Sequence, residues 1–265
     1  MNFQALLHAL HADPARVVLP ASWANGRASF GGLVAALVFE VMRLQVPDGR
    51  PLRSLAITFV APLAPDVPAS YEAEVLREGG SVSQVLGKAT QNGQVCALVQ
   101  GSFGAPRNSK IHLRGERAPV IKAVEDCPQL SYMKGLTPEL VQHLAMRWAV
   151  GGMPFSNNPS REMGGWVRLR DGSADEVVSE AHLLVLVDAW PPAVLAHLSN
   201  FAAGSSLTWT IEFMQPAPVL HGLDWCQYRA LIEHAQGGYS HVAASLWAPS
   251  GELVAISRQT VVVFG

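Results

Sequence analysis

In "SLAITFVAP", starting at Ser54, apolar and polar positions alternate with period two up to a Phe-x-x-Pro, and "TWTIEFMQP", starting at Thr208, repeats the pattern. Such alternation predicts a strand with one buried and one wet face. Ahead of the first copy, "FGGLVAALVFEVMRLQVP" is dense enough in apolar residues for a mostly buried helix, closed by Pro47. Strands follow in "PLRSLAITFVAPL", "ASYEAEVLREG", "SVSQVLGKATQNG" and "QVCALVQGSFG", each bounded by Gly, Pro or Asn. The second copy keeps this order: a helical stretch "ADEVVSEAHLLVLVDAW" stopped by Pro191-Pro192, then "SSLTWTIEFMQP", "WCQYRALIEHAQG", "SHVAASLWAPSG" and "LVAISRQTVVVF". With Phe59 laid on Phe213 the copies stand about 154 residues apart, and the turns "REGGS" and "QGGYS" match as well.

A duplicated α+β unit follows from this. The expected division is a first unit over 1–104, a second over 136–265, and a polar, weakly periodic linker over 105–135. "LVQHLAMRWAVGG" and "GGWVRLRDG" are predicted to open the second unit as strands ahead of its helix.

Composition narrows the function. The 265 residues are 49% hydrophobic, enough for a sizeable core, and the net charge of -2 offers no footprint for nucleic acid or an anionic membrane. No stretch is apolar over a membrane-spanning length, and the N-terminus lacks a charged region followed by an apolar run, so a cytoplasmic location is expected. Cys96, Cys127 and Cys226 are odd in number and scattered, which predicts free thiols and no metal site. The absence of G-x-S-x-G, of a Walker or dinucleotide fingerprint and of H-E-x-x-H argues against those classes of enzyme. His182 is expected to be a helix residue with no chemical role.

The duplication also supplies an internal control. Residues needed for folding should recur in both copies, whereas residues needed for chemistry can survive in one. At the constant offset Asp188 falls near Val34, Ser206 aligns with Leu52 and Thr208 with Ser54, while on the last strand Gln259 aligns with Gly101. The second copy therefore carries polar groups the first lacks, and a single site in the second half is expected. Ser206 and Thr208, two residues apart, are expected on one strand face.

Taken in order, "FGGLVAAL", "LRSLAITFVAP", "VLREGGSVSQVLGKATQNG", "VDAWPPAVL", "SSLTWTIEFMQP" and "GELVAISRQTVVVF" resemble the acyl-CoA thioesterase II family. The resemblance implies an α+β double hotdog fold, two tandem units each with a helix wrapped by a curved antiparallel sheet. It also implies hydrolysis of an acyl-CoA substrate to free acid and CoA without a cofactor. The family holds its attacking water with an Asp on the second-half helix, a Thr on the strand before the F-x-x-P turn and a Gln on the last strand. Here those positions correspond to Asp188, Ser206 and Gln259; a serine stands where the family has threonine, and Thr208 is the alternative hydroxyl. A thiol of pKa about 8.5 leaves readily as thiolate, so one base activating water can suffice. The oxyanion needs backbone N–H donors, and the helix start at Gly31-Gly32 and the amides near Asp188 are the candidates. Because hotdog edge strands commonly pair between units, either a monomer-like pseudo-dimer or a further homodimer is expected, the dimer being favoured. The rival readings are a non-catalytic acyl-thioester binding module and a structural double-hotdog protein, neither of which needs Asp188 and Gln259 together.

Overall fold

A computed structural model of the chain describes residues 1–264, which form two compact units. The first comprises Met1–Gly115, Tyr132–His143 and Ser179–Val185; the second comprises Glu116–Ser131, Leu144–Val178 and the described residues from Leu186 onward.

The first unit opens with α1 (Phe3–Ala12), where Asn2 caps the helix by accepting from the Ala5 N–H, and Phe3, Leu6, Leu7 and Leu10 form its buried stripe. This helix was not among the elements expected from the sequence. After β1 (Val17–Val18) and the small pair β2 (Ala24–Asn25) and β3 (Ala28–Ser29) comes α2 (Gly31–Arg43), with ten residues buried. The strands are β4 (Leu52–Phe59), β5 (Pro68–Glu78), β6 (Val82–Gln91) and β7 (Gln94–Gly104), in the antiparallel order β1-β5-β6-β7-β4. The α2 helix lies across β5, β6 and β7. Two glycines let it approach: a Cβ on Gly87 would stand 2.5 Å from Val38 Cγ1, and one on Gly101 would stand 2.7 Å from Met42 Cε.

In the second unit β8 (Leu144–Val150) and β9 (Glu162–Leu169) precede α3 (Glu180–Asp188), followed by β10 (Ala203–Phe213), β11 (Cys226–Gln236), β12 (Tyr239–Trp247) and β13 (Leu253–Phe264). The antiparallel order is β10-β13-β12-β11-β9-β8. The duplication is visible in the strand register. Leu55 faces Gly101 across β4 and β7, as Trp209 faces Gln259 across β10 and β13. Each of β4 and β10 also carries a bulge at the same repeat position, between Leu52 and Ser54 and between Ser206 and Thr208. Two hotdog-like units, each a helix against a curved antiparallel sheet, are therefore present.

Two local readings change. The helix expected from Ala174 is confined to Glu180–Asp188, and Ser179 precedes it with its N–H donated to His182 Nδ1. Residues 116–130, read from sequence as polar and without pattern, are held through their backbone. Trp247, Gln227 and Trp166 donate to the carbonyls of Glu116, Pro119 and Lys122, Arg147 donates to those of Val124 and Cys127, and Leu130 N–H bonds to Met146 beside β8. Side-chain periodicity cannot report a segment anchored by its carbonyls. Among the described residues no helix is long and apolar enough to cross a membrane.

Candidate active site

The buried run Leu183–Val187 ends in Asp188, the last residue of α3, and Pro191-Pro192 prevent the helix from continuing. Asp188 is half-buried, and its Oδ1 accepts a hydrogen bond from Gln259 Nε2 at 2.6 Å. Gln259 stands on the inner face of β13, between buried Ser257 and Val261. Its cross-strand partner Trp209 is fully buried, with its indole N–H donated to Ser257 Oγ at 2.9 Å. The last strand is thereby locked in register and aims its amide at the carboxylate. An amide donor on a carboxylate forms a charge-assisted bond and fixes its orientation, while the amide oxygen of Gln259 is available to accept from water.

The bulge in β10 separates the two hydroxyls. Ser206 pairs with Val261 and Thr208 with Thr260, so the extra residue Leu207 turns Ser206 to the face of Val261 and Gln259 and Thr208 to the opposite one. Ser206 is half-buried, and Thr208 is exposed beside Thr210. The expectation that both share a face fails because strand alternation does not survive an inserted residue.

Three aromatic side chains around Asp188 were not anticipated. Tyr228 on β11 is buried, and burial pushes its hydroxyl far above the usual tyrosine range, with the charge of Asp188 adding to the effect. Its ring stacks on Trp190 at 5.2 Å and 6°, and Trp148 leans on Trp190 at 4.8 Å. The indole N–H groups of Trp148 and Trp190 have no acceptor among the described residues. A signal for Tyr228 existed in the repeat: Tyr71 holds the same position on β5, opposite Ala89 as Tyr228 is opposite Leu246. Recurrence in both copies marks the tyrosine as part of the architecture.

Gly31 and Gly32 belong to the first unit and begin α2, where Phe30 makes no side-chain capping bond. The first-turn amides of α2 thus lack a capping acceptor. Val34 is not the counterpart of Asp188, since it lies in the first turn of α2 whereas Asp188 closes α3. The constant offset breaks because residues 189–202, with the 3-10 turn Ala193–His197, make a longer connection than residues 44–51. His182 is buried in the first turn of α3, bonded to Ser179 and edge-on to Phe3. The three cysteines are buried free thiols, and among the described residues no group of three or more His, Cys, Asp or Glu could hold a metal ion.

Comparison with known proteins places these features in a family. Residues 19–104 match the acyl-CoA thioesterase N-terminal domain, and residues 124–263 match the acyl-CoA thioesterase C-terminal domain. A conserved hot dog fold protein of Alicyclobacillus acidocaldarius superposes with TM-score 0.80 at 21% identity, covering 94% of this chain and 92% of the other. The acyl-CoA thioesterase II TesB2 of Mycobacterium marinum gives 0.75 at 21%, covering 94% and 93%. A tesB protein of Mycobacterium avium gives 0.78 at 17%, covering 99% and 98%. No curated protein matches the sequence.

Proposed function

The chain belongs to the hotdog-fold acyl-CoA thioesterase family, and from that premise we propose that it hydrolyses acyl-CoA to free acid and CoA, with Asp188 as the base that activates water. The observation that carries this reading is the 2.6 Å bond from Gln259 to Asp188, which joins the carboxylate that closes α3 to an amide whose register counterpart in the first copy is Gly101. Water held by the Gln259 amide oxygen and the Ser206 hydroxyl gives a proton to Asp188 and attacks the thioester carbonyl carbon. As the tetrahedral intermediate collapses, the C–S bond breaks with its electron pair on sulfur, and the proton on Asp188 returns to the thiolate. The two neutral groups contribute positioning, and the carboxylate contributes proton transfer.

The uncapped amides that open α2, at Gly31 and Gly32, belong to the first unit and have no assigned part in this step. A cytoplasmic setting, where three thiols stay unpaired, is part of the same proposal.

A thiol-release assay over a panel of acyl-CoAs separates this reading from its rival. Catalytic release of CoA from at least one member is expected. Saturable acyl-CoA binding without release across the panel would identify a non-catalytic acyl-thioester binding module instead.

A further inference from the structure

The inner face of the second unit's sheet carries, beyond Asp188 and Gln259, a pair of donors that the proposed reaction leaves unused. Tyr228, Gly165 and Trp148 lie in one cross-strand row over β11, β9 and β8, and Gly165 adds no side chain to it. Trp190, two residues after Asp188, touches both flanking rings, stacked on Tyr228 at 5.2 Å and tilted against Trp148 at 4.8 Å. The row shares its face with Gln259. Gln259 pairs with Val242 and Tyr228 with Leu246, an even spacing of four residues along β12, about 13 Å of strand. Asp188 is linked to both ends of that interval, since it accepts from Gln259 and its charge raises the Tyr228 hydroxyl. Trp148 and Trp190 are each only 6% exposed, and the indole N–H of each has no acceptor among the described residues. Trp23, Trp166, Trp209 and Trp247, by contrast, donate to the carbonyls of Met1 and Lys122, to Ser257 Oγ and to the carbonyl of Glu116.

A buried donor without an acceptor is costly, and a ligand that brings an oxygen to it removes that cost where a hydrocarbon does not. We propose that Trp148 and Trp190 select acyl groups carrying a neutral oxygen, as a hydroxyl, ether or ketone, remote from the thioester, an inference that rests on the acyl-CoA reading above. The oxygen is neutral because the charge of Asp188 is felt in this row, at Tyr228, and repels a carboxylate brought there. It is remote because the row stands four residues along β12 from the position of Gln259, so a chain running from the thioester over the inner face must cover that interval first. The amides of pantetheine offer the same kind of oxygen, yet that arm must lead back to solvent, whereas the two indoles are more than nine-tenths buried.

The test takes pairs of acyl-CoAs of equal chain length, one plain and one bearing a single hydroxyl or keto group away from the thioester, to the native protein, Trp190→Phe and Trp148→Phe. Phenylalanine keeps an apolar ring and removes the N–H. The native protein should favour the oxygenated member, at one position of the group along the chain, by about ten-fold or more in kcat/KM, and the ratio should collapse toward unity in either variant. No preference, or a preference for the plain chain at every position, is the result if water alone answers the donors; it would overturn the proposal on the native protein, whatever the variants do. A variant that slows both members of every pair by one factor would assign the indoles to pantetheine or to packing, against the proposal and with hydrolysis left standing. If no member releases thiol, hydrolysis falls, and calorimetric titration with the same pairs decides the subsite: tighter binding of the oxygenated member keeps it, and equal binding removes it.

Discussion

Gly87→Ala measures how closely α2 is pressed onto the first unit's sheet, the feature that fills that unit's interior with side chains. The added Cβ would stand 2.5 Å from Val38 Cγ1 and 2.7 Å from both Met42 Cγ and Met42 Sδ. Ordinary carbon separations are about 3.5–4.0 Å, so helix and strand must part by roughly 1 Å. Met42 can swing its sulfur aside, but its Cγ is tied near the helix backbone, and a β-branched valine in a helix has one strongly preferred rotamer. Overpacking of this kind costs about 1–3 kcal/mol, offset by ~0.4–1 kcal/mol from the stiffer unfolded chain. A net loss of about 1–2 kcal/mol lowers Tm by roughly 2–8 °C in a chain of this size. Scanning calorimetry reads the shift, with turnover per folded molecule measured alongside at 25 °C. Ala244 occupies the same repeat position in the second unit, where a Cβ is accommodated. Turnover should therefore stay native while Tm falls. An unchanged or higher Tm would refute the close-approach argument.

Gln259→Ala and Ser206→Ala should each lower kcat, by roughly ten- to a hundred-fold for the amide, with KM near native, whereas Thr208→Ala on the opposite face should leave steady-state kinetics unchanged. Burial pushes the Cys226 thiol from 9.0 up to about 12 and raises those of Cys96 and Cys127, so a colourimetric thiol reagent at pH 8 should titrate none in the native protein and all three once unfolded. By linkage the contribution of Cys226 to stability is complete below pH 9, where the unfolded thiol is also protonated, and is lost as pH rises toward 12, which a pH series of denaturation midpoints reads.

The fold was legible because duplication made the sequence its own alignment: Phe59 and Phe213 set an offset that Leu55 and Trp209 keep, and their cross-strand partners Gly101 and Gln259 correspond by register although they stand four residues beyond it. The same offset failed at Asp188, since a helix-to-strand connection can lengthen without disturbing the strands it joins. Alternation assigned faces to Trp209 and Ile211 but misplaced Ser206 relative to Thr208. A bulge is a backbone event, and Leu207 has no composition that announces it. The helix α1 lay outside the repeated pattern, and its stripe of Phe3, Leu6, Leu7 and Leu10 went unread. The aromatic side chains of Trp148, Trp190 and Tyr228 come from separate strands and a connection, so only the sheet brings them together.

The most direct test of the account is the turnover number of Asp188→Asn on the best acyl-CoA of the panel, measured with acyl-CoA affinity. Asparagine keeps an oxygen for Gln259 Nε2 and removes only the ability to take a proton from water. The account predicts kcat lowered by roughly 10² or more with affinity within a few fold of native. Native turnover in Asp188→Asn, especially if a first-unit substitution abolished it, would contradict the assignment of the reaction to the second unit.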